Sequence, residues 1–408
     1  MKKCYYLGID VAKLKVRAAL GGAEGRWLLE KDLPVSAAGV AQLLRELQAR
    51  VAEPAQLLVL LEATGLLHLN WAAALSKAGY QVAVINPLIA RRLYRVDNAL
   101  RDSKTEPIDA RSLCQCAREQ GAALLQLYRF RLRPAQLSLQ RLYTVRLALR
   151  RSLTNLKKTY RSLLALSFPE LEGLLQIDAV GIRQLLTEAP TPAAIARKRL
   201  KSLQRDWKLR PKAPALKLLA ASSMADPDLA LANAPALQAI LAALAESEAR
   251  LRTLDLQIAH FSAQSLDPRQ QELLQTIPGF GPQLATLVLS YLPEEILQRG
   301  SRRQAAARLQ AFMGNDPRRK QSGQYEGQTK MSKRGVRSLR TAFFQAAFSA
   351  SQSDPELKAY YQRKRAQGKE HKVALSLLMR MLTRRLVALL RTGQPYLTPK
   401  TYELQTAA

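Results

Sequence analysis

The stretch Tyr5-Tyr6-Leu7-Gly8-Ile9-Asp10-Val11-Ala12-Lys13 decides the fold, because it sets a short apolar run directly before an acid. Tyr5–Ile9 has the length and composition of a strand, and Asp10 stands at its end. Working outward, Lys15–Leu20 and Arg26–Val35 read as two more strands, with Gly21-Gly22 marking the turn between them. Ala37–Val51 then carries apolar residues at helical spacing. Leu57–Leu61 is a continuous apolar run of strand length, Leu66–Ala78 is helical, and Gln81–Ile85 is a strand closed by Asn86-Pro87. The order βββαβαβ predicts an α/β domain over residues 1–128, in which an antiparallel meander is continued by parallel strands.

Beyond this domain the pattern is helical. One long helix is predicted over Arg129–Leu166 and a second over Ala236–Ser262, with Pro235 just ahead of it. Residues 170–234, with Pro190, Pro192, Pro211 and Pro214, read as an irregular or helical insertion. Residues 129–267 thus suggest a coiled-coil arm or antiparallel hairpin, or else a plain helical core layer. Residues 268–408 read as an all-α, basic domain.

The chain has 408 residues and a formal net charge of +31, which strains a compact state unless a polyanion covers it. Residues 301–408 hold 22 Lys and Arg against 6 Asp and Glu, whereas residues 1–128 hold 17 against 12, so the charge is concentrated toward the C-terminus. Nucleic acid is the natural partner, since each cation at a phosphate releases a condensed counterion. A membrane is the weaker reading, because Val373–Leu390 is broken by Arg380, Arg384 and Arg385. Asp10 interrupts any signal-peptide core, and Cys4, Cys114 and Cys116 offer neither a disulfide framework nor a zinc pattern, which points to a reducing cytoplasm. His68, His260 and His371 are isolated at helical positions and suggest no metal site.

Four acids stand out by placement: Asp10, Glu62 after Leu57–Leu61, and Glu106 and Asp109 in Lys104-Thr105-Glu106-Pro107-Ile108-Asp109-Ala110. If the first strand lies beside Leu57–Leu61, Asp10 and Glu62 meet at the sheet edge. Pro107 suits a first helical turn, so Glu106 and Asp109 would leave one side of that helix start. Clustered carboxylates in a basic chain suit Mg²⁺ acting on a phosphodiester. A strand-end turn and a helix cap are the structural alternatives. Farther along, Thr276-Ile277-Pro278-Gly279-Phe280-Gly281-Pro282 reads as a helix-hairpin-helix, with Gly279 and Gly281 letting backbone approach a phosphate. Gly314-Asn315-Asp316-Pro317-Arg318-Arg319-Lys320-Gln321-Ser322-Gly323 leads on to Lys330-Met331-Ser332-Lys333-Arg334-Gly335. Here Ser322 is either a nucleophile or a turn residue at a phosphate, and Arg318, Arg319, Lys320, Lys333 and Arg334 are DNA-backbone contacts or a solvated basic face.

Taken together, Gly8-Ile9-Asp10, Glu62-Ala63-Thr64-Gly65, the Lys104–Ala110 segment and the later Ser-Gly with its Ser-Lys-x-Gly-x-x-x-Leu-Arg run resemble the DEDD signature of the insertion-sequence 110/1111 transposases. Glu106 departs from the family pattern, which has Asp there. The resemblance implies a RuvC-like domain of the ribonuclease H fold, with Asp10, Glu62, Glu106 and Asp109 binding Mg²⁺. It implies that Ser322 attacks DNA and becomes covalently joined to it, cutting and rejoining donor and target DNA in transposition. It also implies a bridge RNA as guide, a homo-oligomer (dimer or tetramer) with a site shared between subunits, and a place at the nucleoid of a bacterial cytoplasm. The alternatives are a RuvC-like nuclease that uses water and no covalent intermediate, and a non-enzymatic nucleic-acid-binding scaffold.

Overall fold

Alternating burial along the first strands builds a five-stranded sheet. The computed structural model describes residues 4–63, 65–87, 89–90, 93, 106–318, 321–322, 325–326 and 330–397; the side chains of residues 106–109, 127, 294–295, 318, 321–322, 325–326 and 330 lie outside that description. The chain divides into two units, Met1–Arg133 and Pro134–Ala408.

In the first unit, β1 (Tyr5–Val11), β2 (Lys15–Gly22), β3 (Trp27–Pro34), β4 (Leu57–Glu62) and β5 (Gln81–Ile85) stand in the order β3-β2-β1-β4-β5. β1, β2 and β3 pair antiparallel, while β1–β4 and β4–β5 pair parallel, as the sequence order predicts. Side chains on a strand alternate between faces. Leu7, Ile9, Val11, Leu57, Val59 and Leu61 therefore share one face, with Leu43 and Leu47 of α1 (Ala37–Gln48) and Trp71 and Leu75 of α2 (His68–Lys77). Leu58, Leu60, Ala83 and Ile85 share the other, against Leu113, Cys116, Ala117 and Leu124 of α3 (Glu106–Tyr128).

Gly8 is the closest point of that second contact. A Cβ there would collide with the Ala110 carbonyl oxygen and the Cys114 amide nitrogen, so α3 lies backbone to backbone on β1. One turn on, the Cys114 thiol donates to the Tyr6 carbonyl at 3.0 Å. After α3, Phe130 donates its N–H to Val82 O at 2.8 Å and Arg129 bridges Ala83, laying the chain along the outer edge of β5. That edge pairing is why the helix expected from Arg129 begins five residues later, at Pro134.

The second unit is built on α4 (Pro134–Ser167) and α10 (Pro227–Ser265), which lie antiparallel. Arg146 meets Asp255 at 2.5 Å near the start of α4, and Asn233 donates to Leu163 O at 2.8 Å near its end. α10 starts nine residues before the expected Ala236. Asp226 caps it by accepting from the N–H groups of Asp228 and Leu229, Pro227 suits its first turn, and Pro235 lies inside the helix. Residues 170–234 form five short helices, α5 (Leu171–Leu174), α6 (Val180–Glu188), α7 (Pro192–Arg197), α8 (Leu200–Arg205) and α9 (Ala213–Ala221), and then enter α10. Their core joins Ile182, Leu186, Ile195, Leu203 and Leu216 to Tyr160 and Leu164 of α4 and to Leu237, Leu241 and Leu244 of α10. Among the described residues, α10 alone is long and apolar enough to cross a membrane. Asn233 and Gln238 of this helix bond to Leu163 and Thr187 of the same unit, and Leu237, Leu241 and Leu244 are buried there.

The rest of the chain contributes α11 (Pro268–Gln275), α12 (Pro282–Tyr291), α13 (Glu294–Gln298), α14 (Arg302–Met313), α15 (Arg337–Ser353), α16 (Pro355–Ala366) and α17 (His371–Thr392). Their core also takes in Leu139 and Tyr143 of α4 and Leu254 and Ile258 of α10. The all-α expectation for 268–408 needs correction. Among the described residues between α14 and α15 stand the strands β6 (Pro317–Arg318), β7 (Gln321–Ser322), β8 (Tyr325–Glu326) and β9 (Lys330–Met331). Gly314, left-handed at φ 72°, ends α14, and Pro317 cannot continue a helix.

Gly8→Ala is expected to destabilise the chain by about 1–3 kcal/mol through overpacking and to raise hydrogen exchange along α3. Gly173→Ala, where an added methyl meets nothing, should leave both unchanged or slightly improved. Denaturant unfolding with exchange mass spectrometry separates the two.

Candidate active site

The first candidate site lies at the end of the central strands. Pairing of β1 with β4 runs through Ile9–Leu61, so the next residues, Asp10 and Glu62, stand side by side, both half-buried. Both belong to the sheet face that α3 covers, being in step with Gly8 and Leu60. α3 runs antiparallel to β1: Cys114 sits at Tyr6 and Ala110 at Gly8. Two strand residues span about 7 Å and four helical residues about 6 Å, so the next step sets the backbone of the first turn of α3, with Glu106, at the level of Asp10. The side chains of Glu106 and Asp109 lie outside the described residues. Among the described residues no three His, Cys, Asp or Glu side chains gather to hold a metal. Asp10 and Glu62 by themselves supply two hard oxygen donors, and Mg²⁺ commonly takes one or two carboxylates and completes its shell with water and substrate phosphate.

An ion-pair ladder, unforeseen in the sequence, fixes this corner. Arg111 of α3 grips Glu30 of β3 with both nitrogens, Nε at 2.7 Å and Nη2 at 2.9 Å. Glu30 also receives Arg17, the cross-strand neighbour of Asp10, at 3.4 Å, and Arg17 reaches Asp32 at 3.0 Å. The Arg111 guanidinium lies 5.5 Å from the centre of the Trp27 ring, and its bond to Glu30 holds its pKa above the ordinary arginine value. A charged grip of this geometry is directional. It ties α3 to the sheet two residues after Asp109.

The second candidate site is the hairpin between α14 and α15. β6 pairs with β9 and β7 with β8, so Ser322, opposite Tyr325, belongs to the outer pair. The inner end is locked to the helices. Asn315 is fully buried and exchanges hydrogen bonds with Ser376 of α17, donating to its carbonyl at 3.3 Å and accepting from its hydroxyl at 2.8 Å. Ser332 donates its hydroxyl to the Asp316 carboxylate, and its N–H donates to Asp316 O at 2.9 Å. A Cβ on Gly335 would strike the Phe312 carbonyl. Lys333 is exposed and adopts a left-handed φ of 53°, a strained state for a side-chain-bearing residue, held by its N–H bond to Gly314 O at 3.0 Å. Arg334 is half-buried beside it. The side chains of Arg318 and Ser322 are not among those described, and Arg319 and Lys320 lie outside the described residues.

The turn Thr276–Gly281 joins α11 to α12. Gly279, at φ 90°, presses against the Ala346 carbonyl of α15, and Phe280 meets Phe343 edge-on at 5.2 Å. The demand for glycine at 279 is therefore met by packing. Gly281 caps α12 and has open space where a side chain would stand.

A sheet of this order, with acids at its edge in so basic a chain, is consistent with a ribonuclease H-like enzyme acting on nucleic acid. Comparison with known proteins sharpens this class to the transposases. Residues 7–169 match the DEDD transposase model of IS110, described as "Transposase", and residues 271–362 match the "Transposase IS116/IS110/IS902 family". The chain is 29% identical over 405 residues, 96% of its length and 95% of the relative's, to the "Insertion element IS110 uncharacterized 43.6 kDa protein" of Streptomyces coelicolor. It is 32% identical over 128 residues, 31% of each chain, to the "Insertion element IS900 uncharacterized 42 kDa protein" of Mycobacterium paratuberculosis. The chain belongs to the IS110 family of transposases.

Burial pushes the Cys114 thiol up to about 12, against weaker opposing hydrogen bonds from the Gly21 and Gly8 backbone. Since the unfolded thiol ionises near 9, the folded chain keeps its full advantage below that pH and loses it as pH rises from about 9 to about 12, by at most about 1.4 kcal/mol per unit. At pH 8, iodoacetamide followed by peptide mass spectrometry should label the half-buried Cys4 and spare Cys114 until denaturant is added. Equal labelling of the two in the native chain contradicts the packing of α3 on β1.

Proposed function

We propose that the chain is the recombinase of its insertion sequence. It cuts donor and target DNA, holds a cut end on Ser322, and rejoins strands with a divalent cation, Mg²⁺, bound by Asp10, Glu62, Glu106 and Asp109. The observation that carries this reading is the juxtaposition of Asp10 and Glu62 on adjacent strands, level with the first turn of α3. Two half-buried acids at a sheet edge, under a helix start bearing two more, form a set of hard donors. Bound there, Mg²⁺ would neutralise phosphate charge and ease loss of the serine proton.

In the cutting step the Ser322 hydroxyl loses its proton and its oxygen bonds to phosphorus. The bond from phosphorus to a deoxyribose oxygen breaks, and that oxygen takes up a proton. The number of phosphoester bonds is conserved, so attack by a deoxyribose hydroxyl reverses the step without ATP. In keeping with this, the chain has no Gly-x-x-x-x-Gly-Lys-Ser/Thr loop. Arg318, Arg319, Lys320, Lys333 and Arg334 hold the flanking phosphates, and Gly281 offers a helix start to another. The chain works as a homo-oligomer, dimer or tetramer, in which the site is shared between subunits. A bridge RNA selects the target, and the surplus of positive charge serves RNA as well as DNA.

The test is a denaturing gel of end-labelled duplex incubated with protein, guide RNA and Mg²⁺. Wild type should shift label to a protein-bound band. Ser322→Ala should abolish the band, and Asp10→Asn should slow its formation by about 10³-fold or more. Cleavage by Ser322→Ala at the wild-type rate would mean that water is the nucleophile and the recombinase reading is wrong.

A further inference from the structure

The short-helix cap between α4 and α10 carries charge that no contact in the cap uses. Residues 197–217 hold nine Lys and Arg (Arg197, Lys198, Arg199, Lys201, Arg205, Lys208, Arg210, Lys212 and Lys217) against the single acid Asp206. That is a net +8 of the chain's +31 in 21 residues. Four of the nine are engaged locally. Lys198 pairs with Glu188 at 3.1 Å and Arg205 with Asp206 at 2.8 Å. Lys212 donates to Leu174 O and Lys217 to Lys198 O. Arg197, Arg199, Lys201, Lys208 and Arg210 are exposed and make no ion pair among the described residues.

The fold brings these residues to one place. Lys217 of α9 bonds the carbonyl of Lys198, at the turn from α7 to α8, and the Lys198 ammonium lies 5.6 Å from the centre of the Trp207 ring. The turns Arg197–Arg199 and Trp207–Lys208 are thus neighbours, pinned from below by buried Ile195, Leu203, Ala213 and Leu216. Lys208 is held at a left-handed φ of 53° and stays exposed. Five unpaired cations fixed on a packed scaffold repel one another, a cost that a polyanion removes. Solubility does not call for such concentration.

We propose that this cap is a second DNA-holding surface, which takes the phosphate backbone of duplex DNA away from the cutting site. The substrate class fits the charge, since transposases act on DNA, and a sequence-independent grip needs only cations at phosphates. Its position fits as well. Along α4, Leu139 belongs to the C-terminal core and Tyr160 to the core of the cap. Those 21 residues of helix span about 30 Å, close to one turn of B-DNA. The cap therefore reaches flanking duplex that the hairpin does not touch. This inference rests on the family's substrate and is independent of the Ser322 chemistry.

The test compares wild-type full-length protein with the variant Arg197→Gln, Arg199→Gln, Lys201→Gln, Lys208→Gln, Arg210→Gln. Binding to a 40-base-pair duplex is measured across salt concentrations, with circular dichroism and thermal unfolding matched first. All five side chains are exposed, and should they still disturb the cap, the pair Arg199→Gln and Lys201→Gln is measured in their place. Each phosphate contact contributes about 0.9 to the slope of log affinity against log salt, so the five-site variant should lose about 3 or more in slope, and the pair about 1.5. A slope change below about half of that expected, or affinity within twofold of wild type, overturns the proposal. So does a variant that keeps duplex binding and loses only a structured RNA hairpin, because the surface then belongs to RNA. At saturating DNA the five-site variant should still form the Ser322 adduct. A wild type that forms no adduct refutes the cutting mechanism and leaves the duplex measurement standing.

Discussion

The first unit turns on a contact that has no side chain in it. Gly8 lets the backbone of α3 lie directly on β1, at Ala110 and Cys114. Any larger residue would drive the helix outward, and packed interiors transmit such shifts rather than absorb them. The contact is narrow, and its neighbours keep it in register. The Cys114 thiol bonds Tyr6 on one side, and Arg111 grips Glu30 across the sheet on the other. Because helix and strand run in opposite directions from that point, the start of α3 and the end of β1 come to the same level. That close approach in the core sets the backbone at the start of α3 level with Asp10 and Glu62.

The second unit solves a different problem, that of holding a short hairpin steady. Here the base carries the order. Gly314 and Gly335 allow close chain crossing, buried Asn315 ties the start to α17, and Asp316 ties both arms through Ser332.

Ion pairs are spent sparingly in this very basic chain, and they sit where geometry must be kept. Arg146–Asp255 joins α4 to α10, and Arg183 meets Glu248 with both terminal nitrogens, at 3.0 and 2.8 Å, joining the cap to α10. Arg391 needs no acid: it caps the carbonyls of Leu297, Arg299 and Gly300. With 63 Lys and Arg against 32 Asp and Glu, 31 cations remain even if every acid takes a cation of its own. The excess is a property of the surface, and a polyanionic partner is its physical counterpart.

By itself the sequence determined the strand order, the two long helices and the location of Asp10 and Glu62 at strand ends, because burying one face of an element writes its period into neighbouring residues. It left the β1–α3 register, the Arg111–Glu30 grip and the Asn315–Ser376 lock unmarked, since their partners stand 108, 81 and 61 residues apart and no local pattern encodes such pairs. The early start of α10 was legible in Asp226-Pro227, but Pro235 is the stronger local signal and hid it. Only the tertiary structure, where chain segments remote in sequence exclude water together, could decide which helix backbone lies on β1 and which anchors hold it there.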